Sequence, residues 1–338
     1  MSSRRPFAAA SFVLISALAL AGCASAESAP AAEEESSETS TVTYSWERNT
    51  AGEDEDPAYE TETVEVPKDP QKIVAFEMAT VDTIGALGGE VAGAPLDFVP
   101  AYLQDSLAED AFNSGTLFEA DLIAIEAQQP DLIVIGGRSS ALYDDLSQIA
   151  PTIDLGISGS YLETLERNVT FLGEVLGAED KAAEALADLE VGIDEAKEAT
   201  AAAGNGLAVI VSGGELSAMA PTGAEAGSSN VRGGLIYDVF GVEPVVQDVA
   251  SATHGEPISF EFLLEHDPDT LWIVDRDAAT GEGEAGAAAQ VLDNDIVKQT
   301  TASENDAIVY LDPVAWYIVY GGIETTRLLI DDVMQITE

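Results

Sequence analysis

The stretch from Ala178 to Ala203 constrains this chain more than any other. Ala182, Leu186, Leu189, Ile193 and Ala196 recur at alternating steps of four and three. That spacing lines one face of an α-helix with apolar groups. Glu184, Asp188, Glu195 and Glu198 fall off the stripe, and Gly204 and Gly206 end it. A helix of this length spans roughly 40 Å. On each side lies a run of alternating strand-like and helix-like segments. A rigid rod between two α/β lobes lets them face each other across a fixed cleft, with little room for wide hinge opening. The alternative is an ordinary surface helix inside one larger domain.

The flanking runs are legible in outline. Thr41–Trp46 and Thr61–Val66 read as a hairpin around an acidic loop. Lys72–Phe76, Val91–Ala94 and Thr152–Leu155 read as short strands, and Asp131–Ile135 as a buried parallel strand because it is apolar without alternation. Helices are expected at Val81–Leu87, Leu122–Ala127, Leu142–Ile149 and Leu162–Leu176. After the long helix, strands are expected at Leu207–Val211, Leu216–Ala220, Thr270–Val274 and Ala307–Leu311. Helices there are expected at Val231–Phe240, Phe260–His266, Ala287–Val297 and Gly322–Ile336. Such alternation implies mainly parallel sheets covered on both faces. The expected divisions are a first lobe at 41–177, the connecting helix at 178–203 and a second lobe at 204–338.

The first forty residues are not part of either lobe. Arg4 and Arg5 precede an apolar run, Phe7–Leu20, which ends in Leu20-Ala21-Gly22-Cys23. A positive start, a short apolar run and small residues at its end make an export signal over 1–22. The run is too short to span a bilayer comfortably. Leu-Ala-Gly-Cys resembles the bacterial lipoprotein signal. That resemblance implies cleavage before Cys23, a diacylglycerol on its sulfur and an anchor at the outer face of the cell membrane. Cys23 is the sole cysteine, so no intrachain disulfide forms. Residues 23–40 hold Ala, Ser, Glu and Pro with almost nothing to bury and are expected to be a disordered tether. As a flexible coil it reaches roughly 20–25 Å.

A formal charge of −49 argues against nucleic acid or anionic lipid as a partner surface. It fits a salty habitat or a lysine-poor, high-GC genome equally well. It also makes each arginine worth locating. After the signal these are Arg48, Arg138, Arg167, Arg232, Arg276 and Arg327. In open α/β sheets ligands sit beyond the carboxyl ends of strands. Gly137-Arg138-Ser139, Asp275-Arg276-Asp277 and Asp312–Tyr317 each follow an expected strand, and Arg232 opens a helix after a Gly-Ser-Ser-Asn turn.

These pieces, in order, resemble a known family. Thr116-Leu-Phe-Glu-Ala-Asp-Leu, Pro130-Asp-Leu-Ile, Gly137-Arg-Ser and Ile149-Ala-Pro-Thr-Ile153 are similar to the first lobe of iron-siderophore solute-binding proteins of ABC importers. Ser251-Ala-Thr-His-Gly255, Ile258-Ser-Phe-Glu261, Val274-Asp-Arg-Asp277 and Leu311-Asp-Pro-Val-Ala-Trp-Tyr317 resemble the second lobe of its catecholate-binding subgroup. The resemblance runs from Thr41 to the C-terminus. It implies an α/β fold of two lobes joined by one long helix (the class III, helical-backbone substrate-binding proteins), with a ferric siderophore in the cleft. It implies that Arg138, Arg232 and Arg276 face an anionic complex, and that His254 and Tyr317 complete the iron's coordination when the siderophore supplies only four donors. The neighbours Asn230-Val231-Arg232-Gly233 depart from the family pattern. A tris-catecholate ferric complex carries about three negative charges, which suit planar guanidinium groups. Phenolate and imidazole both suit iron. The alternatives are structural ion pairs for the arginines, and hydrogen bonding to the ligand without ligation for His254 and Tyr317. Trp316 and Tyr320 are expected either to line the pocket or to pack in the core.

The partners implied are an ABC permease with its ATPase, the membrane through the lipid anchor, and no nucleic acid. The protein is expected to act as a monomer without a resident cofactor. Docking in the family uses one acidic residue per lobe. Here these are Glu119 and Glu261, although Ile123 stands where the first-lobe glutamate is usual. Gly281-Glu-Gly-Glu-Ala-Gly286 has a dinucleotide-loop spacing, but it does not open from a strand and its glutamates would repel a pyrophosphate. Asn168-Val-Thr170 falls inside a helix and is discounted as a glycosylation site. A zinc carrier would hold more than the two histidines present. Ferric hydroxamate, haem and cobalamin are the alternative ligands. A membrane-tethered hydrolase using His254 is the alternative of another class, but no nucleophile motif accompanies that histidine.

Overall fold

The computed structural model describes residues 40–50, 58–221, 231–250, 252, 254–281 and 287–337. The export signal, Cys23 and nearly all of the tether lie outside these residues, as do the loop 51–57, the turn before Val231, Ser251, Thr253 and most of the Gly281–Gly286 stretch. No helix among the described residues is long and apolar enough to cross a membrane.

The chain opens with an antiparallel hairpin, β1 (Thr41–Asn49) and β2 (Tyr59–Pro67). Alternation decides its seating: Val42, Tyr44 and Val66 turn inward, while the threonines and glutamates between them face water. Tyr44 packs on Phe171 with ring centroids 4.5 Å apart. Arg48 pairs with Glu62 at 2.9 Å and with Asp144 at 3.1 Å, and its guanidinium lies 4.8 Å from the Tyr143 ring centre. The hairpin is thereby strapped to the first lobe.

That lobe is built on β3 (Ile73–Ala75), β4 (Val91–Ala94), β5 (Leu107–Asn113), β6 (Leu132–Ile135) and β7 (Thr152–Asp154), all parallel, in the order β5-β4-β3-β6-β7. Every residue of β6 is buried, as an unbroken apolar run demands. β5 was not legible beforehand. It is an edge strand whose Glu109 and Asp110 face water, so it lacks an apolar signature.

A single helix, Glu179–Ala203, follows the amphipathic helix Tyr161–Leu176. It buries Ala182, Ala185, Leu189, Ile193, Ala196 and Thr200. The second lobe then places β8 (Asn205–Ser212), β9 (Glu215–Ala218), β10 (Glu243–Pro244), β11 (Glu256–Ile258), β12 (Thr270–Asp275) and β13 (Ile308–Leu311) in the order β11-β9-β8-β12-β13, with β10 beside β8. β8, β12 and β13 are parallel, whereas β9 and β11 add antiparallel. The reversal at β8–β9 is made by Gly213 and Gly214, at φ 58° and 82°, a conformation that suits a two-residue hairpin turn and few residues other than glycine.

The final helix, Ile323–Met334, ties the lobes together. It lies on the long helix so closely that a Cβ on Gly192 would stand 2.9 Å from Ile330 Cδ1. Its N-terminus is held by a first-lobe carboxylate. Asp82, fully buried on the helix Met78–Leu87, accepts from Glu324 N at 2.8 Å and from Thr325 N at 2.6 Å. Tyr102 and Tyr161, also of the first lobe, bond Thr325 and Thr326 at 2.9 Å each. A carboxylate at a helix N-terminus satisfies amides that have no partner in their own helix and complements the helix dipole. Burial nevertheless pushes Asp82 up to about 6 against these hydrogen bonds. We expect Asp82→Ala to cost about 2–4 kcal/mol, because it strands buried amides. Denaturant unfolding measures this directly.

Candidate anionic-ligand site

The site is assembled around one irregular turn. Ala315–Val319 is wound as a π-helix, with Tyr320 N bonding Ala315 O at 2.7 Å. It stops at Tyr320, whose φ is +36°, and Gly321-Gly322 follow. Stopping after one wide turn leaves the carbonyls of Tyr317 and Ile318 without partners in the helix. Arginines supply them. Arg138, at the carboxyl end of β6, donates Nη1 to Ile318 O at 3.1 Å and Nη2 to Tyr317 O at 3.0 Å. Arg232 donates Nη2 to the same Tyr317 O at 2.9 Å. Its guanidinium lies 4.0 Å from the Tyr317 ring centre and 5.4 Å from that of Tyr320. Arg138 also lies 5.4 Å from the Tyr320 ring.

The third arginine reaches the side chain of the same tyrosine. Arg276, at the carboxyl end of β12, donates Nε to Tyr317 Oη at 2.9 Å and Nη1 to Ser212 Oγ at 3.1 Å. Ser212 in turn donates to Asp277 Oδ1 at 2.9 Å, so the guanidinium is aimed by a short relay. On the other side of the hydroxyl, His254 Nδ1 lies 2.9 Å from Tyr317 Oη and the two rings stack with centroids 6.4 Å apart. Burial pulls His254 below its ordinary value, and Arg276 and Arg232 push the same way. The imidazole is therefore neutral near pH 7 and able to act as a donor ligand. Burial also lowers Arg232, with the fields of Arg138 and Arg276 adding to it. Three cations this close repel one another, and an anion between them relieves that repulsion.

Sequence reasoning named Arg138, Arg232, Arg276, His254 and Tyr317, and the structure brings all of them to one place. Tyr320 joins them. Trp316 does not, and this is a correction. Its side chain is fully buried, 5.8 Å from Phe240 between ring centroids, and its indole donates to Asp332 Oδ2 at 2.8 Å. Adjacent residues of a helical turn point in different directions, so Trp316 packs inward while Tyr317 meets the arginines. Asp332, which burial pushes up to about 6, also accepts from Asp312 N and so pins the start of the turn. Glu119 and Glu261 are both solvent-exposed, away from these contacts. Glu119 lies in a turn beside exposed Phe118 and Ile123, and Glu261 in the first turn of the Phe260–His266 helix. Sequence reasoning missed Ser212 and Asp277. It also missed Glu77, a buried carboxylate at the carboxyl end of β3. Nothing in the sequence separates Glu77 from the other 61 acidic residues among the total of 62.

Comparison with known proteins settles the lineage. A family described as "Periplasmic binding protein" matches residues 73–315. The chain belongs to the periplasmic binding protein family. This binding protein is 32% identical over 333 residues to the petrobactin-binding protein YclQ of Bacillus subtilis, covering 97% of this chain and 98% of that one. It superposes on a TroA-like periplasmic binding protein of Xylanimonas cellulosilytica with a TM-score of 0.84 at 66% identity, over 88% of this chain and 99% of that one. It matches the periplasmic catecholate-siderophore binding protein VctP of Vibrio cholerae with a TM-score of 0.74 at 31% identity, over 88% of this chain and all, 100%, of that one. The two-lobed α/β architecture on a helical backbone is the one these proteins share.

Because Trp316 belongs to the core of this binding protein, Trp316→Phe is expected to act on stability. Losing the indole donor leaves Asp332 short of a partner and lowers the unfolding free energy by about 1–2 kcal/mol, read from the denaturant midpoint.

Proposed function

We propose that this protein captures a ferric catecholate siderophore outside the cytoplasm and delivers it to an ABC permease. The observation that carries the reading is the convergence of Arg138, Arg232 and Arg276 on Tyr317 beside a neutral His254. A chain of −49 repels an anionic ligand unless it builds a local positive pocket, and this guanidinium cluster supplies one. Catecholate complexes of Fe³⁺ are anionic, with planar oxygen edges that match guanidinium forks. VctP is described as a catecholate-siderophore binding protein, which supports this ligand class, and YclQ as a petrobactin-binding one. A neutral ferric hydroxamate has no use for three positive charges.

His254 and Tyr317 take a second role in this reading. They are two adjacent donors suited to Fe³⁺, held 2.9 Å apart by their own hydrogen bond. A siderophore with four donors leaves two coordination positions open, and a phenolate and an imidazole fill them. The protein performs no chemistry on its cargo. Export and diacylglycerol attachment at Cys23 place it on the outer face of the membrane as a tethered monomer. Glu119 and Glu261 pair with permease arginines, one from each lobe, setting orientation and rate rather than affinity.

Titration of the soluble chain, starting after Cys23, with preformed ferric bis-catecholate, tris-catecholate and hydroxamate complexes tests the ligand class by tryptophan quenching. Saturable one-to-one binding of catecholates alone is expected, and preference for the hydroxamate overturns the assignment. Each arginine-to-glutamine change should weaken catecholate binding about 10–100-fold. His254→Ala and Tyr317→Phe should weaken the four-donor complex more than the six-donor one. Since His254 titrates below its ordinary 6.5, its contribution should persist to pH values below 6.5 and vanish only on further acidification. For the docking residues, Glu119→Arg and Glu261→Arg should leave the soluble protein's affinity unchanged while lowering iron uptake by cells; uptake at the wild-type rate would remove the docking assignment.

A further inference from the structure

Glu77 is a charged group for which the ligand site as described has no use. It ends the first strand of the first lobe and precedes the helix Met78–Leu87, and it is only 8% exposed. Its carboxylate leans against the turn that carries Arg138. A Cβ on Gly136 would lie 2.9 Å from Glu77 Oε2, and one on Gly137 would lie 3.7 Å from it. The same Gly137 position is 3.6 Å from Tyr320 Oη. Two glycines therefore let a carboxylate sit directly behind the arginine turn, with Tyr320 at its edge.

The charged and titratable groups facing it come from each neighbouring element. Arg138 faces it from beyond β6, Asp154 from the end of β7 and Tyr320 from the end of the π-turn. Burial opposes its charge, Arg138 favours it and Asp154 opposes it, leaving the carboxyl at about 7. Burial raises Tyr320, and the Glu77 carboxylate raises it further. On its other side Glu77 lines a cavity of about 30 Å³ with Thr80, Thr164, Tyr161 and Asn168. That space is large enough for one water molecule.

We propose that Glu77, seated behind the arginine turn, is an internal counter-charge for the guanidinium cluster, and that it takes up a proton from solvent when an anionic ligand supplies that counter-charge instead. The inference rests on the anionic-ligand reading of the site. Without an anionic ligand the carboxylate offsets part of the charge of three mutually repelling guanidinium groups. An arriving anion does the same work from the cleft side. Carboxylate and ligand then repel each other, and neutralising the carboxylate by one proton removes that repulsion. No bond in the ligand changes. The consequence is selectivity by charge: a neutral complex gains nothing from the exchange, whereas an anionic one is bound with a proton and more weakly as pH rises.

Two measurements test this, the first without any ligand. In ¹³C-NMR of the ligand-free protein labelled at glutamate carboxyls, Glu77 should titrate near neutrality. Titration in the ordinary carboxylate range overturns the proposal whatever the protein binds. The second is calorimetry of ferric bis-catecholate binding near neutral pH in buffers of different ionisation enthalpy, comparing wild type with Glu77→Gln. The wild type should take up roughly half a proton more per ligand than the variant. The difference cancels any proton that Tyr317 releases on meeting iron. Above neutrality, wild-type affinity should fall relative to Glu77→Gln by up to about tenfold per pH unit. Equal proton uptake by the two proteins overturns the proposal and leaves the ligand assignment standing. Loss of all catecholate binding, with Glu77 titrating near neutrality, instead removes the ligand assignment and leaves Glu77 as the pocket's counter-charge.

Discussion

One carbonyl oxygen organises this molecule's centre. Tyr317 O accepts a hydrogen bond from Arg138 of the first lobe and another from Arg232 of the second. It can do so because the π-turn Ala315–Val319 ends abruptly at Tyr320 and leaves its carbonyls unpaired. A longer helix would have paired those carbonyls internally. The turn itself is anchored from behind by Asp332, which holds Asp312 N and the Trp316 indole. All five residues, Ala315–Val319, are buried, Trp316 against the core and Tyr317 under the arginines.

The lobes are joined more firmly than a lone connecting helix would make them. Asp82 caps the last helix from the first lobe, and Tyr102 and Tyr161 bond its first turn. That helix also packs on the long Glu179–Ala203 rod. Any opening of the cleft must bend around these contacts, because a buried carboxylate loses its partners only at considerable cost. Moving the lobes apart would break these bonds as well as bend the rod.

The arginine cluster sets the electrostatic problem that the rest of the site answers. Aromatic faces at Tyr317 and Tyr320 lie against the guanidinium groups. The Ser212–Asp277 relay orients Arg276. Glu77 supplies negative charge from behind Arg138. Each is a way of holding cations together in a largely buried setting.

Much of this was legible from residues in order. The stripe Ala182–Ala196 announced the rod, and the unbroken run of β6 announced a buried strand, because both signals are local and periodic. The stretches holding Arg138, Arg276 and Tyr317 were legible because they follow strands, where α/β sheets expose their ligands, whereas His254 and the roles of these residues came from the resemblance to the family. The tertiary structure alone decided the rest. It sent Trp316 into the core while its neighbour Tyr317 met the arginines and His254, since a helical turn splits adjacent residues. It made an edge strand of Leu107–Asn113, where acidic residues hide the pattern. It chose Glu77 and Asp82 from 62 acidic residues, because burial and a partner's field arise from distant segments meeting, and no sequence window contains that meeting.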